Sequence, residues 1–169
     1  MSTIPDVSER TIAELVSLVG RTAVVTGGGR GLGKAIARRL AEAGANVLIG
    51  DINGELANTA AKDLDGVWSS TVLGTAMDVT DSTTIKAAAE MAVEKFGGID
   101  IWVNNAGIFP SVPVAEMTDE LWDQVLVINT RGAFAGAREA TRCMRAGNRG
   151  GGAGIPHLPD QFRLGPIRR

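Results

Sequence analysis

Residues 26–33 read Thr-Gly-Gly-Gly-Arg-Gly-Leu-Gly, so five glycines fall in eight positions between two segments of opposite character. Before them lies the β-branched run Thr22–Thr26; after them Leu32, Ile36 and Leu40 recur every four residues, the spacing of one helix face, until Gly44 stops it. A strand that turns through bare glycines into a helix is a demanding arrangement. It presents the free N–H groups and positive dipole end of the helix, and an anion such as phosphate can reach them only if no side chain intervenes. Gly27, Gly31 and Gly33 therefore have a physical reason to be glycine, and Thr26, Arg30 and Leu32 share the loop with them. The spacing G-x-x-x-G-x-G differs from the more familiar G-x-G-x-x-G dinucleotide fingerprint.

The rest of the chain supplies what such a loop needs. Short apolar runs at Asn46–Gly50, Val72–Asp78 and Ile99–Asn104 read as further strands, covered on both faces. Alanine-rich helical stretches separate them, the alternation that builds a parallel sheet from βαβ units. One helix is expected over about 53–64. Asp81 is placed to cap another, with Ile85, Ala88, Ala92 and Phe96 on its inner face and Gly97-Gly98 at its end. Thr118 is placed to cap a third, followed by Asp119 and Glu120 and running with a bend to about Arg145. Ahead of the first strand, Thr11-Ile-Ala-Glu14 has capping-box spacing for a small helix. The chain thus divides into a lead-in (1–20), an α/β dinucleotide-binding portion (21–146) and an irregular tail (147–169) with six Gly, three Pro and four Arg.

Composition excludes several functions. With 169 residues, 44% of them hydrophobic, the chain can bury one real core, and its net charge of −2 offers no basic surface for nucleic acid. No apolar run approaches the ~20 residues of a membrane span, and the polar, charged start MSTIPDVSER is not a secretory signal. A single cysteine, Cys143, forms no internal disulfide and points to a cytoplasmic location. Cys143 has a helical, packed context without an activating neighbour, and Trp68, Trp102 and Trp122 read as anchors and not as a base-stacking platform. His157 stands in the irregular tail with no orienting partner, and no metal-ligand cluster is expected.

Two acids and an asparagine-rich turn complete the site. Asp51 ends the second strand, where its carboxylate can accept hydrogen bonds from ribose hydroxyls and repel a 2′-phosphate; its structural alternative is a strand-end turn before Asn53-Gly54. That favours NAD over NADP, with Arg30 as a nearby cation that softens the choice. Asp78, followed by Val79, ends the third strand and can meet the adenine edge or simply start a loop. Asn104-Asn105-Ala106-Gly107 follows the fourth. Leu121, Val125 and Asn129 fall at i, i+4 and i+8, which puts Asn129 on a core-facing stripe; an N-cap for a following helical segment is the alternative.

Taken in order and spacing, T-G-x-x-x-G-x-G at 26–33, Asp51, Asp78-Val79, N-N-A-G at 104–107 and Asn129 make the chain resemble the short-chain dehydrogenases/reductases over about residues 15–146. The resemblance implies a Rossmann-like doubly wound parallel sheet, here its N-terminal part with strands 1–4 of the order 3-2-1-4-5-6-7. It implies an NAD(P)-dependent oxidoreductase moving hydride between a nicotinamide cofactor and a small alcohol or carbonyl, with a dimer or tetramer possible. It assigns cofactor contacts to Thr26, Gly27, Arg30, Gly31, Leu32, Gly33, Asp51, Asp78, Val79, Asn105, Ala106 and Gly107. Asn129 takes the place of the catalytic asparagine that supports a water in the proton relay.

The same resemblance implies a tyrosine as proton donor, a lysine four residues later and a serine that orients the carbonyl. The chain has no tyrosine, its last lysine is Lys95 and its last serine is Ser111. Hydride transfer without a general acid is expected to be very slow. Across 154–165, a frame moved one base downstream permits Ser-Leu-Ile-Cys-Leu-Thr-Ser-Ser-Ala-Ser-Gly, which resembles the family's next strand and serine segment. The expectation is a frameshift or truncation after about residue 147, an exposed edge at the fourth strand, and a chain inactive alone. The competing reading is a non-catalytic dinucleotide-binding or interaction module.

Overall fold

The computed structural model describes residues 7–147. Four parallel strands, β1 (Thr22–Thr26), β2 (Asn46–Asp51), β3 (Val72–Ala76) and β4 (Ile101–Val103), form one sheet in the order β3-β2-β1-β4. β1 runs in register with β2 from Thr22 opposite Asn46 to Thr26 opposite Gly50, and with β4 from Ala23 opposite Ile101 to Val25 opposite Val103. This is the doubly wound arrangement expected of the alternating pattern.

Period-two alternation assigns the two faces. Ala23, Val25, Val47 and Ile49 point to the face covered by α2 (Gly31–Glu42) and α3 (Gly54–Leu64). Val24 and Leu48 point to the face covered by α4 (Ser82–Phe96) and α6 (Gly132–Ala146). Small residues set the distance between layers. Ala37, Ala41, Ala57, Ala60 and Ala61 are buried against the first face, with Leu64 at the end of α3 the one large helical side chain fully buried beside them. At Gly74 of β3 an added Cβ would stand 2.5 Å from Ala57 O, so α3 lies almost directly on the strand.

The expected caps form. The side chains of Asn53, Asp81 and Thr118 accept the N–H of Leu56, Thr83 and Leu121 respectively. Glu14 accepts the Thr11 N–H at 2.8 Å, closing the capping box of α1 (Ile12–Val16). Gly97 ends α4 in the left-handed region with φ 80°.

Three expectations need correction. The third and fourth strands are shorter than Val72–Asp78 and Ile99–Asn104, because their flanks turn away from the sheet: Asp78 opens a loop held by Thr80, and Asn104-Asn105 turn back toward β1. The Leu32-Ile36-Leu40 stripe is not the innermost face of α2. Gly33, Ala37 and Ala41 are, while Leu32 is 72% exposed, since only small side chains fit where the helix meets the sheet. The stripe of Leu121, Val125 and Asn129 is only half-buried, and α5 (Asp119–Val125) buries no residue fully. The tail with His157 lies outside the described residues.

Candidate functional site

β1, β2 and β3 are linked by α2 and α3 on one face, whereas α4, which leads from β3 to β4, lies on the other. The loops after β1 and β4 therefore diverge and leave a crevice at the carboxyl ends of the strands, the place where open α/β sheets bind ligands. Two clefts of about 540 and 530 Å³ open there and share Gly27, Arg30 and Asn105. The first reaches Asp51, Asp78 and Val79; the second reaches Leu32, Asn104 and Phe109.

The crevice is tied together at its base by Thr26. Its buried hydroxyl accepts the N–H groups of Asn105 and Ala106, each at 3.0 Å, and donates to Val103 O at 3.3 Å. Asn105 returns the contact, its Nδ2 donating to Thr26 O at 2.9 Å and Gly27 O at 3.0 Å. The side chains of these two residues join the glycine loop to the loop after β4. Close approach then fixes the glycines: a Cβ on Gly27 would lie 2.8 Å from Ala106 Cα, and one on Gly33 would overlap Gly27 O. Gly31 differs. It has φ +55°, and a Cβ there would meet nothing within 4 Å, so the loop is open on that side.

Asp51 is half-buried and held from two directions. Its Oδ2 accepts the Gly29 N–H and its Oδ1 the Asn53 N–H, both at 3.0 Å. A carboxylate has about four acceptor sites, so two remain for a diol. Arg30 occupies the exposed N-cap position of α2 without making a side-chain cap. Asp78 Oδ1 accepts both the N–H and the hydroxyl of Thr80 at 2.8 Å, which shapes the loop entering α4. Val79 lies against the start of α6, where a Cβ on Gly132 would stand 3.0 Å from it.

Asn129 sits in a π-helical turn (Leu126–Arg131) between α5 and α6. Its Oδ1 accepts the Ile108 N–H and its Nδ2 donates to Ile108 O, both at 2.9 Å. The N-cap alternative is thereby corrected: the amide bonds across to the segment after β4 and caps no helix. Gly107, next to that clamp, has Asn129 Oδ1 3.2 Å from where its Cβ would be. π-turns expose backbone groups that regular helix hides, and they concentrate at functional sites.

Sequence reasoning assigned no constraint to Gly28 and Gly29. A Cβ on Gly28 would press on Ile49 at 2.8 Å, and one on Gly29 would stand 2.8 Å from Leu56 and 2.9 Å from Asp51 Oδ2. Ile52 and Met77 also line the first cleft. Their signal in the sequence was adjacency to Asp51 and Asp78. Among the remaining residues, Trp102 Nε1 donates to Asn104 Oδ1 at 2.9 Å, Trp68 packs on the core, and Trp122 is mostly exposed. Burial pushes the Cys143 thiol above its ordinary range, the opposite of activation. Among the described residues no cluster could hold a metal, and no helix is long and apolar enough to cross a membrane.

The family model described as short chain dehydrogenase matches residues 21–153, which contain the whole crevice. The chain belongs to the short-chain dehydrogenase family. It is 43% identical over 133 residues to an uncharacterized oxidoreductase of Mycobacterium bovis, covering 79% of this chain and 53% of that protein. It is 38% identical over 134 residues to a sorbitol dehydrogenase of Cereibacter sphaeroides, covering 79% of this chain and 51% of the relative. Among solved structures, a short-chain type dehydrogenase/reductase from Mycobacterium marinum superposes with TM-score 0.75 at 31% identity, covering 79% of this chain and 52% of that one. The chain spans about half the length of these relatives. Members of this family bind NAD(P) and small-molecule substrates.

Proposed function

We propose that this short-chain dehydrogenase binds NAD in preference to NADP along the crevice after β1, with the adenosine half in the cleft between Asp51 and Asp78. The observation that carries the reading is the paired hold on Asp51, which leaves acceptor sites for a ribose diol beside an open, side-chain-free loop. A 2′-phosphate would bring a second negative charge onto the same carboxylate, which is unfavourable unless Arg30 screens it. The residues fit the group on physical grounds. Gly27 and Gly33 keep the loop flat, Gly31 leaves it uncovered, and the start of α2 offers N–H groups to the pyrophosphate. Leu32 and Gly107 would border the pyrophosphate and nicotinamide side, and Val79 and Ala106 the adenosine side. When bound, the cofactor would take hydride from an alcohol carbon or give it to a carbonyl carbon.

On the proton side, the chain contributes Asn129, which through its pair of hydrogen bonds with Ile108 fixes the loop that borders the second cleft. No tyrosine is among the 169 residues, so we assign this chain cofactor binding without appreciable turnover. Titrating the purified chain with NADH and following cofactor fluorescence tests the binding, and assays with sorbitol and other alcohols plus NAD test the turnover. Saturable binding weakened by Asp51→Ala, with no NADH produced, is the expected result. Turnover would show that another group accepts the alcohol's proton; no binding to wild type would reject the cofactor reading itself.

A further inference from the structure

The lead-in to β1 is the segment whose folding its own contacts explain least. Residues 7–20 precede the family match, which begins at residue 21. They nevertheless form α1, with Thr11 and Glu14 closing a reciprocal capping box. The chain just after α1 is fixed to the domain. Leu18 packs against the core of the first face and its N–H donates to Ala43 O at 2.7 Å. Val19 Cγ2 lies 2.7 Å from where a Cβ on Gly44 would be.

α1 itself buries nothing among the described residues. Ile12, Leu15 and Val16 fall at i, i+3 and i+4, on one face of the helix, and Val19 follows just past its last turn. All four are more than half exposed. A helix of five residues is far below the length of about 12–15 at which isolated helices become even marginal in water. The capping box offsets part of that cost. The rest has to come from covering the apolar face.

The surroundings of the face select its cover. Glu9, Arg10 and Glu14 border it, two carboxylates and one guanidinium, whereas an amphipathic helix that lies on a membrane carries an excess of Lys and Arg. An aliphatic centre inside a rim of both signs is the anatomy of a protein interface. Two copies related by a twofold axis can set Arg10 of one against an acid of the other, and such a pairing closes with no free end. With Val7 added, the patch offers roughly 500 Å² per copy, so twofold pairing buries about 1,000 Å² in total, the lower bound of a specific interface.

We infer that α1 is a dimerisation element: the Ile12, Leu15 and Val16 faces of two copies pack together about a twofold axis, flanked by Val7 and Val19. Leu18 and Val19 attach α1 beside the amino ends of β1 and β2, opposite the crevice at the carboxyl ends, so the dimer is independent of cofactor binding.

Sedimentation velocity of the full chain from about 1 to 300 µM tests this, with a monomer–dimer equilibrium of Kd in the tens of micromolar expected for so small an interface. Val16→Asp changes an exposed side chain and should leave only monomer over that range, with the unfolding temperature of the dilute protein unchanged. Thr11→Ala breaks the cap without touching the apolar face and should weaken the dimer about tenfold. Phe134→Asp, on an exposed part of α6, should leave the dimer intact. Exchange of the Leu15 amide, which bonds to Thr11 O at 3.0 Å, should slow as wild-type concentration rises. A wild type that stays monomeric or grows past the dimer, a dimer that survives Val16→Asp, or one lost with Phe134→Asp would overturn the inference. So would co-sedimentation of monomeric wild type, but not Val16→Asp, with phosphatidylserine–phosphatidylcholine vesicles, which would make α1 a lipid-facing helix.

Discussion

The two sides of β1 are built to different standards. Toward β2, every residue from Ala23 to Val25 and from Val47 to Ile49 is fully buried, and alanine-lined helices sit directly on the sheet. Toward β4, the three strand residues are all half-buried, and the neighbouring Phe109, Trp122 and Phe134 are mostly exposed. Among the described residues β4 has a strand partner on one side only. The first side holds Asp51 and the glycine loop; the second holds Asn129 and the segment after β4. The contrast teaches that the Asp51 half of the crevice carries its own support, whereas the Asn129 half is held by a few polar ties laid over an exposed edge.

The sharpest way to break this comparison is to truncate matched aliphatic residues. Val47→Ala, in the buried half, should cost about 2–3 kcal/mol, while Val103→Ala in β4 should cost about 1 kcal/mol, read as the shift in urea midpoint at constant m-value. Equal losses would erase the distinction. Next in size is Gly33→Ala, whose Cβ would overlap Gly27 O and crowd Asn105 Nδ2. We expect a loss of about 2 kcal/mol, together with loss of cofactor binding, because the only relief is movement of the loop itself.

Removing a polar tie should do less. Asn129→Ala leaves both Ile108 backbone groups without their partner and should cost about 1–2 kcal/mol. Hydrogen exchange at Ile108 should rise while exchange at Val24 and Leu48 stays slow. A global rise would mean that the two halves unfold as one unit.

The smallest effect expected is a pH dependence confined to a helix start. The Thr83 N–H, and then the Thr83 hydroxyl, hold the Asp81 carboxyl below its ordinary range. A folded pKa below the unfolded one means that the cap's contribution is complete above the unfolded carboxylate range and is lost as pH falls through the folded value. Asp81→Asn, which keeps an acceptor but does not titrate, should flatten that limb of the acid unfolding curve. An unaltered curve would show that Asp81 takes no part in it.

How much of this was legible beforehand follows from how local each signal is. The caps at Asn53, Asp81 and Thr118 and the order of strands and helices were readable, since each depends on neighbours within a few residues. The inner face of α2 was not: large residues mark a helix as amphipathic, but close packing on a sheet selects the alanines one position on. At the site, the residue types at 26–33, 51 and 129 were visible, but their partners were not. That Thr26 bonds to Asn105, Gly29 to Asp51 and Asn129 to Ile108 depends on chain crossings 79, 22 and 21 residues apart, for which a single sequence carries no period.

The central claim is that the adenosine side of the crevice is complete within this chain. Calorimetric titration of ADP-ribose into the chain and into Asp51→Ala tests it most directly. We expect one saturable site in wild type, weakened about tenfold in a variant that unfolds a few degrees lower, having lost the Gly29 and Asn53 hydrogen bonds, but is fully folded at the titration temperature. Equal affinities, or no site in a folded wild-type chain, would contradict the account.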